Sequence, residues 1–104
     1  MEIDLRIDAD GTRQVVTPTN GEYYTKEELQ GYLQGGVLIF RLDNGDFMFA
    51  NPDGETLRLP YNGEGTNILI DHGFKEYNAR GTIVLADASR VDVSKLITNV
   101  EVAG

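Results

Sequence analysis

The stretch from Thr25 to Pro60 constrains the fold more than any other part of the chain, because its hydrophobic period changes partway along. It opens Thr25-Lys-Glu-Glu-Leu-Gln-Gly-Tyr-Leu-Gln-Gly-Gly. Thr25 and Glu28 have the spacing of a capping box, in which a hydroxyl and a carboxylate each satisfy a free N–H at a helix start. Leu29, Tyr32 and Leu33 then share one helical face. Gly35 and Gly36 end the helix, since a left-handed residue past a helix C-terminus is least strained as glycine. From Val37 the period is two, with strands expected over Val37–Leu42 and Phe47–Ala50. Asn44-Gly45 between them is the pair that a type I′ hairpin turn favours. Asn51-Pro52-Asp53-Gly54 is a second turn signal, leading to a third short strand over Thr56–Pro60. A capped helix near Lys26–Gln34 that feeds a β-meander is therefore the expected nucleus.

The flanks add strands. Ile3, Leu5 and Ile7 alternate with Glu2, Asp4, Arg6 and Asp8, the pattern of a half-buried strand. Asp8-Ala-Asp-Gly turns the chain toward Val15 and Val16, which makes an N-terminal hairpin. Tyr24 precedes the helix cap and pairs with Leu29 as a hydrophobic staple. Pro60 closes the third strand, because it has no N–H for a ladder. A short helix over Thr66–Asp71 competes with a strand for Ile68-Leu-Ile, and the segment from His72 to Gly81 reads as a loop. Thr82–Ala86, continuous and β-branched, is the best central strand. Ser89–Val93 reads as a further strand, or Asp92 or Ser94 caps a terminal helix carrying Leu96 and Ile97. The fold class expected is α+β over a single domain of residues 1–104: a mostly antiparallel sheet with one capped helix on one face.

Net charge is −8, from 17 acidic and 9 basic residues. Such a field opposes binding to nucleic acid or an anionic membrane, which needs Lys and Arg to neutralise phosphate. No apolar run approaches the ~20 residues of a membrane span, and the N-terminus lacks the basic and apolar regions of a secretory leader. With no cysteine, disulfides, thiolate metal sites and thiol nucleophiles are excluded together. The expectation is a soluble cytoplasmic protein.

The chemistry-bearing residue types are sparse. His72, the one histidine, stands beside Asp71, but adjacent residues point in different directions, so the pair makes a poor general-base dyad. Ser89 and Ser94 lie in no nucleophile motif. Asp8-Ala-Asp-Gly and Asp43-Asn-Gly-Asp lack the ligand ladder of a calcium loop and fit β-turn chemistry. Asn62-Gly-Glu-Gly-Thr has no phosphate-binding lysine after it, and Glu64 would repel a phosphate, so loop closure explains its glycines. No cofactor, metal or reaction is expected. Phe47 and Phe49 share one strand face and Met48 takes the other. That hairpin is therefore covered on both sides, or one face meets a partner, a homodimer through an edge strand included.

Glu28-Leu-Gln, Gly35-Gly36, Asn51 with Gly54, Leu59-Pro60-x-Asn62, Thr66, Gly81 and Val84 occur in this order within residues 22–86. In order and spacing the chain resembles the domain of unknown function 3846 family, common in phages and bacterial mobile elements. The chain departs from that pattern at Gly63-Glu-Gly, which disfavours a helix there, and in a tail beyond Arg90. The resemblance implies a phage or mobile-element accessory protein and no particular reaction. The first expectation for function is thus non-enzymatic binding of a host protein with a basic surface, by acidic mimicry or blocking through Asp43, Asp46, Asp53 and Glu55. The alternative is a small-ligand-binding domain whose polar loops, through Asn51, Tyr61 and Asn62, converge at one end of the sheet.

Overall fold

The computed structural model describes residues 3–96 and 100–103; Glu2 of the first expected strand and Ile97 of the terminal helix lie outside them. Its strands are β1 (Asp4–Ile7), β2 (Arg13–Val16), β3 (Val37–Arg41), β4 (Phe47–Ala50), β5 (Ile83–Ala86) and β6 (Val100–Ala103). The helices are α1 (Lys26–Leu33), α2 (Gly63–Asp71) and α3 (Val93–Leu96), with a 3-10 turn over Ala88–Arg90. One six-stranded sheet runs in the order β2-β1-β5-β4-β3-β6. Every pairing is antiparallel except β3 with β6, which is parallel. The molecule is α+β, as the hydrophobic periods predict, and β5 lies in the middle of the sheet.

Alternation along the strands supplies two apolar faces. Val37, Ile39, Phe47, Phe49, Val84 and Ala86 face one way and pack with Tyr24, Leu29 and Leu33 around α1, and with Leu96. Ile7, Phe40, Met48, Ala50 and Ile83 face the other way and pack with Leu69 of α2 and Ala79. The both-sided apolarity of Phe47–Ala50 is thus explained within the chain: all four residues are buried, between helices on opposite faces. The expectation of a helix on one face alone understated the fold, because α2 covers the second.

Local chemistry agrees with expectation in part. The Thr25 hydroxyl accepts from the Glu28 N–H at 3.1 Å, so the cap forms. The Glu28 carboxylate, however, reaches the Thr19 N–H at 3.3 Å, which replaces the reciprocal half of the box. The left-handed residue after α1 is Gln34 (φ 61°), and Gly35 is extended at φ 159°. Glycine is needed there for space: a Cβ on Gly35 would sit 2.7 Å from Asn51 Nδ2. In the β3–β4 hairpin only Gly45 has positive φ, with the Gly45 N–H on Leu42 O and the Leu42 N–H on Asp46 O. That is a three-residue loop with a glycine bulge, and the type I′ expectation is corrected. The β1–β2 hairpin repeats it, with Gly11 at φ 93° and the Asp8 N–H on Thr12 O at 2.9 Å.

Thr56–Pro60 forms no strand. Turns run from Pro52 to Arg58, where Arg58 takes φ 56°, and the Leu59 N–H returns to Gly54 O at 2.8 Å. The apolar alternation of Leu57 and Leu59 misled, since Leu57 is exposed and finds no ladder. Ser89–Val93 is likewise a 3-10 turn followed by α3, with Asp92 Oδ1 accepting the Ser94 N–H, so the capped-helix alternative is the one realised.

Candidate ligand-binding cleft

Asn62 organises the second face. Its Oδ1 accepts the Gly65 N–H at 2.9 Å and caps α2. Its Nδ2 donates to Ile7 O at 3.0 Å and Gly81 O at 2.8 Å, tying the helix start to β1 and the approach to β5. The Thr66 hydroxyl donates to Asn62 O and accepts the Ala79 N–H, each at 2.9 Å. These bonds, which outweigh glycine's poor helix propensity, start α2 at Gly63, within a segment expected to be loop. Gly65 is there because α2 lies close to its neighbours: a Cβ would meet Ala79 Cβ at 3.0 Å and Ile83 Cγ1 at 3.3 Å.

Beyond α2 the chain returns as a loop held by three rings. Phe40 on the sheet meets Phe74 edge-on at 5.2 Å and Tyr77 at 5.0 Å between centroids. The loop then passes Ala79 and Arg80, and Arg80 forms an isolated antiparallel bridge with Tyr61. Between this loop and the turns after β4 lies a cleft of about 620 Å³. Leu38 lies at its base over the buried Phe40 and Ala50, with Tyr77 at one side. Glu55 comes to it from the turns after β4, and Glu76 and Arg80 from the loop after α2. Arg80 Nη1 donates to Leu59 O at 3.2 Å, and its Cβ lies where a Cβ on Gly54 would come within 2.9 Å, so the arginine stem is packed into the wall.

The residues singled out in sequence separate in space. Asn51 lines the cleft, but its side chain is committed: Nδ2 donates to Leu33 O at 3.0 Å and Oδ1 accepts the Asp53 N–H at 2.8 Å. It joins the end of α1 to the turn after β4. Asn62 is buried and wholly engaged in backbone bonds, and Tyr61 is 51 % exposed outside the cleft. These three therefore do not meet around one cavity. Of the acids, Asp43 and Asp46 belong to the hairpin before β4, whereas Asp53 and Glu55 lie in the turns after it, at the other end of that strand. Asp46 is buried, accepting from Asn44 Nδ2 at 3.2 Å; Asp43 is exposed and hydrogen-bonded with His72 Nδ1. Asp53 is exposed, and Glu55 alone of the four lines the cleft. His72 thus engages Asp43, not its neighbour Asp71, and the Ser89 and Ser94 hydroxyls bond the local carboxylates of Asp87 and Asp92.

Sequence reasoning missed Leu38, Glu76, Tyr77 and Arg80. Leu38 reads as an ordinary strand residue, and the others sit in a segment without periodicity. The ring contacts with Phe40 help bring that segment over β3.

A second polar centre lies at the opposite edge of the sheet and is structural. The Asp4 carboxylate is fully buried and accepts from Tyr24 Oη at 2.7 Å, Arg90 Nε at 2.6 Å, Arg90 Nη2 at 2.9 Å and the Asp87 N–H at 2.8 Å. Burial pushes this carboxyl up, but the bonds from Arg90, Asp87 and Tyr24 together hold it below its ordinary value. Burial and the adjacent carboxylate push the Tyr24 phenol up, so it stays a donor.

Among the described residues no group of three or more metal-ligating side chains is assembled, and no helix is long and apolar enough to cross a membrane. No protein-family model, no curated protein and no solved structure matches this chain.

Proposed function

We propose that the chain is a binding domain without a reaction of its own, and that it takes a small ligand in the cleft over β3 and β4. One observation carries this reading: a recess of about 620 Å³ in which the partly exposed Leu38 and Tyr77 lie among polar and charged side chains. Small-molecule sites are typically roughly 300–1,000 Å³ and set a few polar groups to converge on the ligand, and this recess matches in size and in its polar lining. The test is a thermal shift with fractionated metabolite extract. Some fraction raises the melting temperature of the native chain and not that of Leu38→Phe, whose larger side chain fills the floor. The reading falls if no fraction discriminates between the two.

The charge of −8 supports a second reading, association with a basic host protein, in keeping with the phage-family resemblance and a cytoplasmic setting. It predicts salt-sensitive capture of a nucleic-acid-binding protein from host lysate. Converting the exposed Asp43, Asp53 and Glu55 to amides should weaken that capture; unchanged capture rejects an electrostatic role for them.

A further inference from the structure

We infer that the cleft selects a zwitterionic ligand with an apolar body, an amino acid or, as the better match in size, a short apolar peptide with free ends. The inference rests on the cleft reading and adds the ligand class. Glu55, in the turns after β4, and Glu76 and Arg80, in the loop after α2, all line the cleft. Among the described residues none of the three has an ion-pair partner. Arg80 is half-buried and anchored by its Nη1 bond to Leu59 O, so its position is set before a ligand arrives. A planar guanidinium fixed in this way suits a carboxylate, and two carboxylates suit an ammonium with three donors.

Both signs of charge line the cleft, so an anion faces its own sign at Glu55 and Glu76, and a cation faces its own at Arg80. A zwitterion satisfies both. Leu38 and Tyr77, both partly exposed, give its apolar body a surface to cover. Charge on the ligand is thereby used for orientation, and apolar area for affinity.

Titration calorimetry with the dipeptide Leu-Phe, its N-acetyl form and its C-terminal amide tests the class. Leu-Phe binds saturably, and each blocked form binds roughly tenfold to hundredfold more weakly, the loss expected for one charge-assisted contact. In the Glu55→Gln/Glu76→Gln double variant the penalty for acetylation disappears while that for amidation persists. Arg80→Gln reverses that pattern; should its fold be lost, as a melt reveals, Arg80→Lys replaces it and halves or better the amidation penalty by removing planar recognition. Equal binding of free and blocked peptides overturns the zwitterion inference and leaves the cleft standing. So does absent peptide binding when a metabolite fraction still shifts the native chain and not Leu38→Phe. Failure of both assays removes the cleft as well.

Discussion

Two side chains show how much a single residue settles. Asn62 supplies one acceptor and two donors to three backbone groups from three separate segments. Asn62→Ala removes a helix cap and strands two carbonyls, a loss of about 3 kcal/mol in urea unfolding. Asn62→Asp keeps the cap acceptor yet turns a carboxylate oxygen toward Ile7 O and Gly81 O, so it should be no better than alanine. Asp4 is the second. Asp4→Asn leaves Arg90 half-buried without its carboxylate and costs about 3 kcal/mol. Because the folded Asp4 carboxyl lies below its ordinary value, its charge contributes stability above pH ~4 and that contribution fades as pH falls through the folded value. Unfolding midpoints measured down the acid range should therefore fall less steeply for Asp4→Asn than for the native chain. The residues themselves gave no sign of this. Asp4 reads as the polar phase of an alternating strand, and its partners stand 20, 83 and 86 positions away.

At the scale of the element, the three glycines within α1 and α2 separate propensity from packing. Gly31 in α1 has nothing within 4 Å of a would-be Cβ, so Gly31→Ala should stabilise by about 0.5–1 kcal/mol in thermal melts. Gly63 has only a ring carbon of Tyr61 at 3.7 Å. Gly65 abuts Ala79 and Ile83, and Gly65→Ala should destabilise by about 1 kcal/mol despite better helix propensity, because overpacking outweighs it. The capping pattern of α1 was legible since Thr25 needs only its own next three residues. The α2 cap was not, although Asn62 stands at the right distance from Gly65, because two glycines there look like a loop until Ala79 and Ile83 are in place. The third expected strand failed for the complementary reason: Leu57 and Leu59 alternate, but β4 pairs instead with β5.

For the whole molecule, the decisive arrangement is a sheet covered on both faces. If each face is internal core, Phe49→Ala and Met48→Ala should each lose about 3 kcal/mol or more in a chain that runs as a monomer on size exclusion. A face built for a partner would instead show nearly unchanged monomer stability and lost association.

The sequence by itself determined the short-range features: a helix after Thr25, the hairpins closed by Gly11 and Gly45, the alternation that makes β1, β3 and β4 strands, and the continuous β-branched run that makes β5. Each depends on residues within one turn or one pleat of one another. Tertiary structure decided which strands are neighbours, that β6 joins β3 in parallel, and that α2 closes the second face. It also decided the cleft. Glu55, Glu76 and Arg80 share it because Asn62 and the Phe40 ring cluster fold residues 51–82 back over β3 and β4. Apolar burial chooses those long-range contacts from the whole chain at once, and no local spacing encodes them.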